Sequence, residues 1–83
     1  MSIENENMNR LIVLLTKILE VNPGQINKES SVDNVEAWDS LRHMNLVIAV
    51  EQEFDVSISE EDAMEMNSVE LIAITLKEYG VDF

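Results

Sequence analysis

One serine stands where a side-chain hydroxyl could do chemistry. Ser40 follows Trp38 and Asp39 and precedes an apolar stretch that begins at Leu41. Asp39 suits a helix N-cap, where its carboxylate accepts backbone N–H bonds. Ser40 then lies in the first turn, where free N–H groups and the positive end of the helix dipole favour an anion. The sequence therefore indicates a serine whose phosphate ester would be stabilised, although an ordinary serine at a helix start is the alternative.

The sequence offers no base or metal site that would make Ser40 part of a catalytic centre. His43 is the only histidine and the chain has no cysteine, so neither a thiolate nucleophile nor a Cys-based metal site is present. We expect His43 on the surface or rim of its helix. An EF-hand calcium loop starting at Asp55 is excluded, because Glu60 stands where the loop needs Gly and Met66 where it needs Glu. We therefore predict no enzymatic activity.

Composition narrows the class of protein. The 83 residues, 46% of them hydrophobic, suffice for one domain spanning 1–83. Seventeen acidic against five basic residues give a net charge of -12, which repels nucleic acid and anionic lipid and attracts basic protein surfaces. The apolar run from Leu11 to Leu15 is too short for a signal sequence or a membrane span. We expect a monomeric, cytoplasmic protein without membrane insertion.

Apolar periodicity predicts the first helix and the loop after it. The helix should run from about Glu4 to Val21 and end at Pro23-Gly24. Residues 22–38 are rich in loop-forming types and predict a long loop. The apolar residues expected to attach this loop to the core are Ile26, Val32 and Val35. Trp38 is expected to pack against the bundle.

Capping signals predict three further helices. The second should run from Ser40 to about Phe54 and exit at Asp55. The sequence from Ser59 to Asp62 has the form of a capping box and should open a brief third helix containing Ala63, Met64 and Met66. Asn67 is expected to cap the fourth helix, and Gly80 to follow its end. The prediction is an all-α, small four-helix bundle with a long loop between helices 1 and 2 and a short third helix.

The second helix carries two apolar stripes rather than one. One stripe consists of Leu46, Val47, Val50 and Phe54; the other consists of Leu41, Met44 and Ile48. Either both stripes belong to the core, or the second is an exposed patch beside Ser40 where a partner docks. The sequence leaves both interpretations open.

The chain resembles the acyl carrier protein family over nearly its whole length. The motifs that carry the resemblance are WDSL at 38–41, LVIAVEQEF at 46–54, VSI at 56–58 and EEDA at 60–63. The resemblance implies that Ser40 attacks the pyrophosphate of coenzyme A and receives 4'-phosphopantetheine as a phosphodiester, with Asp39 and Leu41 flanking it in the cofactor-binding site. A phosphopantetheinyl transferase and its Mg²⁺ would do this chemistry, and the thiol that bears the acyl thioester would come from the cofactor.

The resemblance also implies a cavity and partners. Residues such as Leu46, Val47, Ile58, Ala63 and Leu71 would line an apolar space that shelters the acyl chain. Partners would be acyl- or aminoacyl-loading and acyl-transfer enzymes with basic docking surfaces, contacting Leu41, Met44, Ile48, Arg42 and Asn45.

Two residues depart from the family pattern. Arg42 and Asn45 stand where fatty acid synthase carriers commonly have acids. Because rim charges mainly set encounter rate and partner choice, we predict a carrier in a specialised pathway, whose cargo is a short acyl group, a polyketide intermediate or an aminoacyl group. The alternatives are an aminoacyl or peptidyl carrier, and an acidic helical adaptor that binds a basic protein with Ser40 unmodified.

Overall fold

Residues 3–83 form four α-helices. A computed structural model describes the backbone of residues 3–83 and the side chains of residues 6–22 and 24–83. The helices are α1 (Ile3–Leu19), α2 (Ser40–Phe54), α3 (Glu60–Glu65) and α4 (Val69–Glu78), and a 3₁₀ turn spans Pro23–Gln25. Residues 3–83 contain no strand, only an isolated bridge between Ser31 and Ser68. The predicted all-α bundle, with its long first loop and short third helix, is confirmed.

One face of α1 packs into the core. Its buried leucines, four residues apart on one helix face, are Leu11, Leu15 and Leu19. The helix ends at Leu19, two residues before the predicted Val21, because Glu20 adopts a left-handed φ of 57°. The N–H groups of residues 20 and 21 bond back to carbonyls of the last turn, so Pro23-Gly24 lies beyond the helix end. No helix among residues 3–83 combines the length and apolar character needed to cross a membrane.

The core combines residues of α1, α2 and α4 with single residues from the connections. Its buried members are Leu11, Leu15, Leu19, Ile26, Trp38, Leu46, Val50, Phe54, Met66, Val69, Ile72 and Leu76. Each such side chain contributes about 1.5–3 kcal/mol through removal from water. Trp38 packs in this core, as predicted. Met66 lies just after α3 rather than inside it, and it anchors the end of that helix.

The long loop is attached to the bundle through side chains and backbone together. Ile26 is buried and Val35 half-buried, as predicted. The prediction for Val32 is wrong, because its side chain is exposed. The backbone of Val32, and not its side chain, attaches the loop to the bundle. Its N–H donates to the carbonyl of Asn67 (3.0 Å), and the N–H of Val69 donates to the carbonyl of Ser30 (2.9 Å). These two bonds tie the loop to the start of α4.

Serine hydroxyls cap α3 and α4. The Ser59 hydroxyl accepts from the N–H of Asp62 (3.1 Å), as the capping-box pattern predicts. The predicted Asn67 cap of α4 is wrong, because Ser68 is the N-cap and its hydroxyl accepts from the N–H of Leu71 (3.1 Å). Asn67 lies one residue too early, and its carbonyl is used by the loop bridge.

Asp55 and Gly80 follow the ends of α2 and α4, as predicted, and both have a left-handed backbone. Asp55 (φ 55°) terminates α2, and Gly80 (φ 94°) follows α4. After α4, the N–H of Gly80 donates to the carbonyl of Lys77 (3.0 Å), and the N–H of Val81 to that of Leu76 (2.9 Å). This pair of bonds is the Schellman motif, in which glycine avoids the Cβ strain of a positive φ.

Candidate functional site

Ser40 is the first residue of α2, immediately after the N-cap. Asp39 has the extended backbone of a cap (φ -98°, ψ -178°), and its carboxylate accepts from the N–H of Arg42 (2.9 Å). The other carboxylate oxygen pairs with the Arg42 guanidinium at 3.2 Å. The carbonyl of Asp39 accepts from the N–H of His43 (2.8 Å). Asp39 therefore fixes the direction in which α2 begins, and with it the placement of Ser40.

The surroundings of the Ser40 hydroxyl suit a phosphate ester. Ser40 is exposed, so its side chain is accessible to a large reagent. The first four N–H groups of a helix have no partner within the helix, and here those of Arg42 and His43 are taken up by Asp39. The N–H groups of Ser40 and Leu41 remain available, at the positive end of the α2 dipole. The residues present thus fit a covalently held phosphodiester at this position.

The second apolar stripe of α2 is exposed. Leu41, Met44 and Ile48 are 71%, 65% and 53% exposed, whereas Leu46 and Val50 are fully buried. The structure therefore decides between the two interpretations that the sequence left open: the first stripe is core and the second faces outward. Its three side chains run along α2 from the residue next to Ser40.

Two adjoining grooves connect Ser40 to the space between α2 and α3. The first, of about 530 Å³, is lined by Val32, Trp38, Asp39, Ser40, His43, Met44, Met64 and Asn67. The second, of about 520 Å³ and mostly apolar, is lined by His43, Met44, Val47, Ile48, Glu60, Ala63 and Met64. The grooves share His43, Met44 and Met64, so they adjoin one another, and we call the two together the α2–α3 groove. Sequence reasoning missed Val32 and Met64 as lining residues, because neither follows Ser40 on α2.

The predicted cargo cavity is only partly reproduced by the α2–α3 groove. Val47 and Ala63 line the groove, as expected. Leu71 does not belong to an interior cavity, because it lies on the outer side of α4 and is 40% exposed. Leu46 is fully buried in the packed core, and Ile58 is half-buried against that core.

His43 lines the α2–α3 groove and makes contacts that its predicted place on the surface or rim of the helix does not indicate. Its side chain is half-buried and bonded on both ring nitrogens. The indole Nε1–H of Trp38 donates to Nδ1 of His43 (3.0 Å), and Nε2 lies 2.8 Å from the carbonyl of Ala63. The partner carbonyl is twenty residues away in sequence, so no local pattern around His43 could have indicated this contact.

The exposed side of α2 carries less free charge than the residue types along it suggest. Arg42 is partly compensated by Asp39, so the first turn carries an ion pair rather than a free cation. Residues 40–50 contain no carboxylate. The carboxylates that follow are engaged, since Glu51 accepts from the N–H of Ile58 (2.8 Å) and Glu53 pairs with Arg10 (2.9 Å).

Exposed acids near the groove lie instead on α3, at Glu60, Glu61 and Glu65. Within the part of the chain that the structure describes, no cluster of three His, Asp or Glu residues is arranged to hold a metal ion.

Comparisons with known proteins agree on one family. The family described as "Phosphopantetheine attachment site" matches residues 9–76, which include Ser40 and all of α2 and α3. An acyl carrier protein of Buchnera aphidicola subsp. Schizaphis graminum is 41% identical over 58 residues, covering 69% of this chain and 72% of the relative. An acyl carrier protein of Bdellovibrio bacteriovorus is 37% identical over 68 residues, covering 81% and 86%.

A solved structure from Mycobacterium tuberculosis, assigned as an acyl carrier protein, has a similar fold. It superimposes with a TM-score of 0.73 at 26% identity, covering 87% of this chain and 97% of its own.

Proposed function

The chain belongs to the acyl carrier protein family, whose members are carriers rather than enzymes and hold 4'-phosphopantetheine covalently, and from this premise we propose that Ser40 is the attachment residue. The observation that carries the proposal is the exposed Ser40 hydroxyl at the start of α2, beside unpaired first-turn N–H groups. An anion bound there gains from those donors and from the helix dipole. Asp39 supports the site by capping α2, and Leu41 flanks it.

Attachment is a phosphoryl transfer to the Ser40 oxygen. The hydroxyl oxygen forms a bond to the phosphorus that bears the pantetheine arm of coenzyme A, the pyrophosphate bond breaks, and adenosine bisphosphate leaves. In this proposal a phosphopantetheinyl transferase supplies the base and the Mg²⁺; the described residues include no cluster of three His, Asp or Glu side chains that could hold a metal ion. When attached, the group supplies a terminal thiol that bears cargo as a thioester, a role that this cysteine-free chain has no side chain to fill.

The exposed stripe of α2 is the proposed contact surface for loading and transfer enzymes. Leu41, Met44 and Ile48 present apolar area next to the attachment residue, and such a patch on a small monomer is typical of an interaction site. Arg42 and Asn45 border the stripe and replace acids by an ion-paired cation and a neutral amide. We therefore propose partners whose contact with α2 is mainly apolar, in a specialised pathway, with their basic residues facing the acids of α3.

Intact-protein mass tests the attachment. Apo protein is incubated with coenzyme A, Mg²⁺ and a broad-specificity phosphopantetheinyl transferase, and it should gain the mass of one phosphopantetheine. Ser40→Ala should gain nothing while keeping its helical circular dichroism spectrum. Ser57→Ala is the matched control, because Ser57 is an exposed serine outside the helices and should leave loading intact. Loading of the Ser40→Ala protein would refute the assignment.

Cargo class is decided by a second loading assay. The holo protein is offered in turn to acyl-loading enzymes and to aminoacyl-adenylating enzymes, and thioester formation is followed by mass. The proposal expects acyl loading. Charging by an adenylating enzyme alone would instead identify an aminoacyl or peptidyl carrier.

A further inference from the structure

The third helix is held to the bundle by polar contacts more than by packing. None of the side chains of α3 (Glu60–Glu65) is buried, and the first buried residue near it is Met66, just past its end. The helix nevertheless forms one wall of the α2–α3 groove, through Glu60, Ala63 and Met64. What keeps this wall in place must therefore be sought in its hydrogen bonds.

At its start, α3 is fastened by Tyr79, the C-cap residue of α4. The phenol oxygen of Tyr79 accepts from the N–H of Ser59 (3.1 Å), and its hydroxyl donates to the carboxylate of Asp62 (2.7 Å). This bridge joins the two ends of the capping box through a residue of another helix. It lies outside the groove.

Near its end, α3 is fastened by His43. The buried indole of Trp38 donates to Nδ1, so Nδ1 is the acceptor and the proton of the neutral imidazole is on Nε2. Nε2–H then donates to the carbonyl of Ala63 at 2.8 Å. The imidazole and indole rings meet edge to edge through this bond, with centroids 6.2 Å apart and planes 25° apart. One side chain thereby joins the loop before Ser40, α2 and α3.

We propose that His43 is a positioning residue that fixes α3 as the wall of the α2–α3 groove and thereby determines how an apolar cargo attached at Ser40 is held. His43 lines the part of the groove beside Ser40 and the part between the helices. Without its bond to Ala63, the end of α3 is held only by Met66 and the adjoining backbone. The role in holding cargo rests on the proposed attachment at Ser40; the fastening of α3 does not.

Amide hydrogen exchange of the apo protein tests the fastening. In His43→Leu, which removes both hydrogen bonds, exchange in residues 60–66 should accelerate by roughly tenfold while α1 and the middle of α2 keep their rates. His43→Gln is the matched rescue, because its amide both accepts and donates and should restore most of the protection. Trp38 is the only tryptophan, so its emission should shift in the leucine variant and less in the glutamine variant.

Unchanged exchange in residues 60–66 of His43→Leu would overturn the proposal. So would acceleration spread equally over α1 and α2, which would indicate loss of the core rather than release of α3. If the leucine variant fails to fold, the test passes to the glutamine variant. It should fold and keep amide protection in residues 60–66 close to that of the unsubstituted protein, and loss of that protection would overturn the proposal. Tyr79→Phe should loosen the start of α3 and leave the emission of Trp38 unchanged.

Thioester reactivity tests the role in holding cargo. Protein loaded at Ser40 with octanoyl-phosphopantetheine is treated with hydroxylamine, and acyl loss is followed by mass. His43→Leu should lose octanoyl faster, by up to roughly tenfold as the open population rises, while an acetyl group, too short to use the groove, should react at an unchanged rate. Equal octanoyl rates would overturn this role. Failure of the unsubstituted protein to load would refute the attachment at Ser40. The hydrogen-exchange experiment would still test the fastening of α3, because it uses the apo protein.

Discussion

At the scale of single residues, Asp39 and Ser40 have distinct tasks. Asp39 organises the first turn of α2 through its cap and its pair with Arg42, and Ser40 offers an exposed hydroxyl at the end of the helix where an anion is favoured. His43, one turn further on, connects this end to α3. The three residues are close in sequence, yet only Ser40 is proposed to carry the cofactor.

Substitution of Asp39 tests the cap. Asp39→Ala should lower the free energy of unfolding by about 1 kcal/mol, because the N–H of Arg42 loses its acceptor. Asp39→Asn should retain most of the stability, since an amide oxygen also caps and an exposed ion pair contributes only about 0–1 kcal/mol. Urea denaturation of both variants measures the difference. An asparagine variant as unstable as the alanine variant would show that charge, not capping, is the main contribution.

The two glycines differ in backbone conformation, which allows a matched comparison. Gly80→Ala should destabilise the protein by about 1–2 kcal/mol, because a Cβ is strained at its φ of 94°. Gly24→Ala is the control, since a Cβ there would meet nothing within 4 Å and its φ is not positive. Thermal unfolding of the pair provides the measurement, and equal melting temperatures would contradict the Schellman interpretation of this turn.

At the scale of elements, α2 divides its two apolar stripes between two tasks. The buried stripe packs against the core, and the exposed stripe is the proposed contact surface for partner enzymes. α3 contributes no buried side chain and forms a wall of the groove, so its position depends on contacts made by its neighbours. The residues that stabilise the core and those proposed to contact partners or cargo therefore lie on different faces of α2 and on different helices.

Placing a carboxylate on each stripe in turn separates these two tasks. Met44→Glu should leave helicity and melting temperature nearly unchanged, because the side chain is exposed, and it should reduce acyl transfer by a partner enzyme. Val50→Glu, the matched variant on the buried stripe, should unfold the protein, because an unpaired carboxylate in the core is strongly unfavourable. Circular dichroism beside a transfer assay tests both. Full transfer activity in the Met44 variant would remove Met44 from the contact surface.

At the scale of the whole molecule, negative charge opposes compaction. The net charge is -12, and the described residues form two ion pairs, Arg10–Glu53 and Arg42–Asp39. Most carboxylates are therefore solvated and repel one another across a chain whose radius of gyration is 11.6 Å. The same field would favour association with basic protein surfaces.

Added salt tests the cost of this repulsion. The melting temperature should rise with NaCl, because the Debye length falls from about 10 Å at 0.1 M to about 3 Å at 1 M. Divalent cations should act at lower concentrations than NaCl. A melting temperature that is indifferent to both, measured by circular dichroism, would indicate that the repulsion is relieved elsewhere.

The sequence by itself determined the helices, their main caps and the family, because periodicity, capping and the motif around Ser40 are all local signals. It did not determine which stripe of α2 is buried, since both have helical spacing and only the packing of α1 and α4 selects one. Nor did it determine the cap of α4, which is Ser68 and not the predicted Asn67.

The tertiary structure alone decided the role of His43 and the exposure of Leu71 and Val32. His43 bonds to the carbonyl of Ala63, and the backbone of Val32 bonds to Asn67, both far away in sequence. The exposure of Leu71 follows from the orientation of α4 in the bundle. Local patterns state which face of a helix is apolar and where the helix starts. Which neighbour that face meets is set by how the helices pack, and this packing is what brings Ala63 to His43, beside Trp38 and Ser40.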